Sequence, residues 1–200
     1  MQWLWELDQG LFRTIHLGWQ RDWLDPVFWV VSSTGLGWVQ ASLIAIWAAG
    51  SWLSGSSDRV RAAFWHVTLT LLVSALVNTA LLKNLIRRDR PSLLAISEPQ
   101  ETFFRGSFPS GHTATAFGIA FAVWLLTRGT RGAAWGWAAL IWASLVGISR
   151  VYRGVHWPTD VVGAAAVGAI CACLVWLALG RHRAACREAL ATTAEGDAAD

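Results

Sequence analysis

Long runs without a charged residue recur along the chain, at 26–57, 62–82, 106–127, 132–149 and 161–180. Each is close to the roughly 20 apolar residues that a membrane-crossing helix needs. A soluble helical core would show a polar face every turn or two, and these runs show none. The pattern predicts an all-α chain: a polytopic membrane helical bundle of about five spans, joined by short connections. Ahead of the first run, Trp3, Leu7, Leu11, Ile15 and Trp19 recur at every fourth residue, with Glu6, Asp8, Gln9 and Arg13 mostly off that face. Such spacing predicts an N-terminal helix lying in the membrane interface. Glu6 and Asp8 interrupt any apolar signal core, and no basic stretch precedes it. The chain thus divides into an interfacial segment (1–25), a membrane domain (26–180) and a polar, alanine-rich tail (181–200) expected to be a loose end.

Polar punctuation refines the spans. Asp25-Pro26 starts the first, and Gly35 and Gly37 inside it allow a kink or a close helix contact. His66 and Asn78 in the second are expected to hydrogen-bond between helices. That span runs directly into Lys83-Asn-Leu-Ile-Arg-Arg-Asp-Arg90-Pro91. If the helix reaches Arg88, Lys83 and Arg87 share a face, whereas Pro91 forces Arg90 out of helical geometry. Ser110 reads as the N-cap of the third span, leaving the N–H groups of Gly111, His112 and Thr113 pointing outward. Pro158 suits the first turn of the last, with Asp160 in that turn and His156 just before it.

Composition agrees with a membrane location. Apolar residues make up 54% of the 200, charged residues only 14%, and there are 15 tryptophans. Trp3, Trp5, Trp19, Trp23, Trp52, Trp65, Trp135 and Trp157 fall near span ends, where interfacial belts form. Trp29, Trp47, Trp142 and Trp176 are expected to pack between helices. The net charge of +3 comes from cations gathered at span ends, which makes nucleic acid a poor partner. Cys171, Cys173 and Cys186 show no disulfide or zinc spacing. With an odd number of spans, 83–106 and 151–160 share one side, opposite Arg59, Arg61, Arg128, Arg131, Arg181, Arg183 and Arg187. The positive-inside rule makes that opposite side cytoplasmic.

The shared side concentrates the chemistry. It gathers Lys83, Arg90 and Arg150, two histidines and the helix opening at Ser107-Phe-Pro-Ser-Gly-His112. Cations at a lipid boundary are costly, and Asp89 and Asp160 are too few to neutralise them, so an anionic partner is expected. A phosphate fits best: arginine grips its oxygens in a fork, lysine acts as a point charge, and an open helix end attracts it. His156 and Asp160 have a spacing that lets the carboxylate orient the imidazole as a nucleophile. His112 can protonate the leaving oxygen. Those roles describe phosphoryl transfer through a phosphohistidine, with no metal and no other cofactor.

Three motifs carry a resemblance. Lys83-x6-Arg90-Pro91, Pro109-Ser110-Gly111-His112 and Ser149-Arg150-x5-His156-x3-Asp160 are similar, in order and spacing, to the signatures of the type-2 phosphatidic acid phosphatase superfamily. The resemblance covers about residues 76–175. It implies that Lys83, Arg90, Ser110, Gly111 and Arg150 bind phosphate, that His156 is the nucleophile, Asp160 its orienting base and His112 the general acid. It also implies a lipid phosphate substrate and a site facing the extracytoplasmic side of a bacterial cytoplasmic membrane. Arg87, Arg88, Arg105 and Arg153 lie outside the strict motifs and divide between headgroup contact and lipid anchoring. Ser149 is expected to bond locally. Among family substrates, the compact size favours undecaprenyl diphosphate over phosphatidylglycerophosphate or phosphatidic acid. Gly111 weighs the other way, because one undecaprenyl-diphosphatase branch carries Asp there. A lipid phosphotransferase would carry the same motifs. An anion channel or carrier would need only the cations, and the soluble vanadate-dependent haloperoxidases share the motifs without the apolar runs.

Overall fold

The computed structural model describes residues 2–55, 57–93, 99–101 and 106–196, with 58–59 and 181–196 as backbone. Among these residues it is entirely helical: α1 (Gln2–His16), α2 (Leu24–Thr34), α3 (Gly37–Leu53), α4 (Asp58–Leu76), α5 (Lys83–Leu85), α6 (Gly111–Thr127), α7 (Ala133–Tyr152) and α8 (Pro158–Gly196). A π-helical segment, Val77–Leu82, fuses α4 to α5.

Among the described residues three helices are long and apolar enough to cross a membrane: Val60–Leu85, Ala133–Tyr152 and Pro158–Gly180. A fourth crossing forms if α2 and α3, bent by 62° at Gly35–Leu36, count as one. The expected kink is therefore present. α6 is apolar but only 17 residues long, about 25 Å at 1.5 Å per residue. The sequence pattern gave α6 the same standing as the other runs, but it differs in being the central helix, packed on α4, α7 and α8.

Small residues make that packing possible. α6 buries Thr113, Ala114, Thr115, Ala116, Gly118, Ala120 and Ala122, and small side chains let helix backbones approach closely where lipid offers no hydrophobic contrast. The outer surface is correspondingly apolar, with Leu43, Ile46, Leu72, Ile141, Val162 and Leu174 exposed.

The tryptophans divide differently from the sequence expectation. Trp3, Trp5, Trp19, Trp23, Trp52, Trp65 and Trp135 are exposed, but Trp157 is fully buried. Its ring packs against Phe12 and Trp5, and its indole N–H donates to the Asp89 carbonyl at 2.9 Å. Trp29 is exposed rather than packed between helices, whereas Trp47, though partly exposed, meets Phe64 of α4 edge-on at 5.8 Å between ring centres. Trp142 does bridge helices, donating to Thr34 Oγ1 at 2.9 Å, and Trp176 meets His66 edge-on.

α1 is two-faced. Trp3, Leu7 and Leu11 point outward, as its periodicity predicts, while Asp8, Phe12 and His16 are buried against α7 and α8. His16 Nδ1 donates to the Tyr152 carbonyl at 2.7 Å, tying α1 to the end of α7. At the other end of the chain, the α8 backbone stays helical to Gly196, across the stretch read as a loose tail. The alanines there have the highest helix propensity.

Candidate active site

The turn between α7 and α8 builds the first part of the site. Gly154 takes φ +73°, a conformation that side chains with a Cβ resist. The chain then delivers His156 just ahead of α8 and Asp160 in its first turn. His156 Nδ1 lies 3.4 Å from Asp160 Oδ2. On the other side of the ring, Nε2 lies 3.3 Å from Arg90 Nη1. A guanidinium can only donate, so Nε2 must accept and the ring proton sits on Nδ1, facing the carboxylate. That tautomer leaves the Nε2 lone pair directed at the cationic side.

Asp160 is fully buried and held at both oxygens. Oδ2 accepts from the Ser107 hydroxyl and from the Trp157 backbone N–H (2.9 Å), and Oδ1 accepts from Arg88 Nη1 at 2.7 Å. Burial holds the His156 imidazole down to about 4, with Asp160 opposing the shift and Arg90 and Arg150 reinforcing it. The ring is therefore neutral, as a nucleophile must be. Burial, followed by the charge of Arg150, lowers Arg90 to about 10, so it stays cationic at neutral pH. Arg90 also donates to the carbonyls of Val155 (2.9 Å) and Gly106 (3.3 Å).

Arg150, at the end of α7, is buried and forks onto Glu101, with Nη2–Oε2 at 2.9 Å and Nη1–Oε1 at 3.2 Å. It also donates to Ser32 Oγ. Burial pushes the Glu101 carboxyl up, but Arg150 and then Arg153 outweigh it and leave Glu101 below the ordinary carboxylate range. Arg150, Glu101, Arg153 and His112 line one cavity of about 360 Å³. His112 is in the first turn of α6, within electrostatic reach of Arg150, His156 and Lys83. Its place depends on Gly35, where a Cβ would come within 3.1 Å of His112 Cβ and 2.6 Å of Val146 Cγ1.

Ser110 is the N-cap of α6, but its hydroxyl makes no capping bond and instead accepts from Thr113 Oγ1 at 2.9 Å. Its backbone N–H reaches the Asp160 carbonyl at 3.3 Å, joining the second motif to the third. Asn78 donates to the Pro109 carbonyl at 3.4 Å, a bond to the loop ahead of α6 rather than the expected one between helices. Ser149 bonds locally to the Val146 carbonyl at 2.6 Å.

Lys83 and Arg87 line a cavity of about 600 Å³ with Arg88, Asp89 and Gly106. The helix does not reach Arg88, as a shared face would require: α5 stops at Leu85 and Ile86 is extended. Arg88 is turned inward, onto Asp160 and Asp8 (2.6 Å). Arg153 is buried against Glu101 and donates to Gln100 Oε1 at 3.0 Å. Neither guanidinium is placed as a simple lipid anchor. Arg105 lies outside the described residues. The expected charge imbalance is smaller than sequence reasoning implies, because Asp8 and Glu101 supply two further acids. Asp8, Ser32, Glu101, Ser107 and Thr159 are among the site neighbours to which the sequence assigned no role. The available signal for Asp8 was an acid beside the apolar face of a membrane-surface helix.

Residues 63–184 match the family model described as the PAP2 superfamily, and the chain belongs to that family. It is 28% identical over 174 residues to the bacitracin transport permease protein BcrC of Bacillus licheniformis, covering 86% of this chain and 80% of the relative. To the undecaprenyl-diphosphatase BcrC of Bacillus subtilis it is 27% identical over 169 residues, covering 82% and 80%. The crystal structure of a transmembrane PAP2-type phosphatidylglycerolphosphate phosphatase from Bacillus subtilis superposes with a TM-score of 0.75 at 26% identity, covering 90% of this chain and 88% of that one.

Proposed function

We propose that this chain is a membrane lipid phosphatase that transfers a phosphoryl group to His156 Nε2 and then to water, with undecaprenyl diphosphate as its first-choice substrate. The observation that carries the reading is the orientation of one ring: Nδ1–H on a buried carboxylate and the Nε2 lone pair beside Arg90. In the first step Nε2 attacks phosphorus, the bond to the leaving oxygen breaks, and His112, entering the step as the imidazolium beside the bound phosphate anion, gives that oxygen its proton. In the second, His112 takes a proton from water as the water oxygen attacks the phosphohistidine, releasing inorganic phosphate and restoring neutral His156. Lys83, Arg90 and Arg150 stabilise the transferring group, for which charge stabilisation is the main requirement. Ser110 and the Gly111 backbone assist them.

The substrate choice rests on the undecaprenyl-diphosphatase relative. We further infer that α2–α3, α4–α5, α6, α7 and α8 form five spans, with α1 against the interface. That topology, with Arg61, Arg128 and Arg131 on the far side, favours an extracytoplasmic site.

The test is phosphate release in detergent with EDTA present, from a panel of lipid monophosphates and diphosphates. Release from the polyprenyl diphosphate, lost in His156→Ala, is expected. A strict magnesium requirement, or release by His156→Ala equal to wild type, would refute the mechanism. Release only from phosphatidylglycerophosphate would replace the substrate and keep the mechanism.

A further inference from the structure

A row of charged hydrogen bonds links α1 to the His156–Asp160 pair. Asp8 is 3% exposed. Its Oδ2 accepts from Arg88 Nη2 at 2.6 Å and from Thr159 Oγ1 at 2.7 Å, and its Oδ1 accepts from the Thr159 backbone N–H at 2.9 Å. The other arm of Arg88 donates to Asp160 Oδ1 at 2.7 Å. The Arg88 guanidinium lies 5.5 Å from the ring centres of both Trp5 and Trp157. One cation thus sits between two buried carboxylates, one on α1 and one beside the reactive histidine.

Attaching α1 does not require this arrangement. Phe12 already packs on Trp157, and His16 already bonds the Tyr152 carbonyl. Burying a carboxylate carries a large desolvation penalty unless its partners are well placed, so an acid here needs a reason beyond adhesion. Charge supplies one. The groups facing Asp160 are His156, Arg88, Arg90, Ser107 and the Trp157 N–H; those acting on His156 are Asp160, Arg90, Arg150 and His112. His156 becomes cationic when it carries a phosphoryl group, and Asp160 must offset that charge. Without Asp8, the full charge of Arg88 would fall on Asp160 and weaken its effect on the ring.

We propose that Asp8 is a positioning residue for catalysis: it takes up the charge of Arg88 and fixes Thr159 in the first turn of α8, so that Asp160 keeps its negative charge for His156. The N-terminal helix is then part of the catalytic apparatus. This deepens the phosphatase reading and rests on it.

The test compares full-length wild type, Asp8→Asn, Asp8→Glu, Arg88→Met and the double variant Asp8→Asn/Arg88→Met in detergent. kcat and KM are measured on undecaprenyl diphosphate. Histidine-¹⁵N NMR, assigned with His156→Gln, follows the protonation of His156. Asp8→Asn is expected to lower kcat about tenfold, the effect of roughly one pKa unit of electrostatic change, with KM within about twofold because the phosphate-binding cations are untouched. His156 should take up its proton at lower pH in that variant. Asp8→Glu should recover most of the rate, and the double variant should exceed Asp8→Asn because the unbalanced cation is gone. An unchanged kcat in Asp8→Asn, or an equal loss in both Asp8→Asn variants with His156 titrating as in wild type, would reduce Asp8 to an attachment point. If Asp8→Asn does not fold, Asp8→Glu and the double variant decide through the same readouts. If wild type releases phosphate from another lipid of the panel instead, the same variants are compared on that lipid; if it releases none from any of them, the phosphatase reading falls, while the NMR comparison still decides the coupling.

Discussion

Arg90 donates to His156 Nε2 at 3.3 Å, and this contact does two things at once. It fixes which nitrogen of the ring carries the proton, and it places a phosphate-gripping fork beside the lone pair that would attack phosphorus. Arg90→Ala should therefore lower kcat/KM by about a hundredfold or more, the scale of losing a preorganised charge-stabilising donor. Arg90→Lys should recover only part, because an ammonium cannot fork. Steady-state kinetics on the preferred lipid check both.

Acid should destabilise the fold through His156. Its folded value is about 4 against an ordinary 6.5, so between these values the unfolded chain binds more protons than the folded one. The stability contributed by the neutral ring is complete above pH 6.5 and is lost as pH falls towards 4, with a slope of at most about 1.4 kcal/mol per pH unit. Thermal unfolding in detergent from pH 7 to 4 should show a steeper fall for wild type than for His156→Gln. Parallel curves would contradict the burial assigned to the ring.

Glu101 holds the Arg150 fork that a phosphate would need. Substrate must then compete with a carboxylate, and Glu101→Gln should weaken that competitor. The expected outcome is a KM lowered severalfold and tighter inhibition by inorganic phosphate, with kcat within about twofold. A raised KM would mean that Glu101 instead holds Arg150 in its binding position.

Gly35 should tolerate no side chain. A Cβ there meets Val146 at 2.6 Å and His112 at 3.1 Å, and overpacking of this kind costs about 1–3 kcal/mol. Gly35→Ala is expected to lower both the melting temperature and kcat, since the displaced group is the proposed general acid. Gly37→Ala, where a Cβ meets nothing within 4 Å, is the matched control and should lose neither.

What could be read from the sequence follows the range of the contacts. His156 and Asp160 are four residues apart, so their pairing is local. That Arg90 lies outside a helix is legible from its neighbour Pro91, although the helix already stops at Leu85. The apolar runs show the helices because hydropathy is a local property, yet they do not show that α6 is central, since that depends on which small faces meet. Asp8 lies 80 residues from Arg88, so nothing near it in sequence announces its partner. Arg88 fails for the same reason: an arginine at a span end looks like an anchor or a headgroup contact until a third segment brings carboxylates to it. Trp157 was expected at the interface from its position at a span end, but the α1 aromatics bury it.

The most direct test of the account is to trap the intermediate. Purified protein would be given a lipid diphosphate carrying ³²P in the terminal phosphate, quenched rapidly in alkali, digested and mapped. An alkali-stable, acid-labile label is expected on the peptide containing His156 and should be absent from His156→Gln. Label on any other residue, or full phosphate release by His156→Gln, would contradict it.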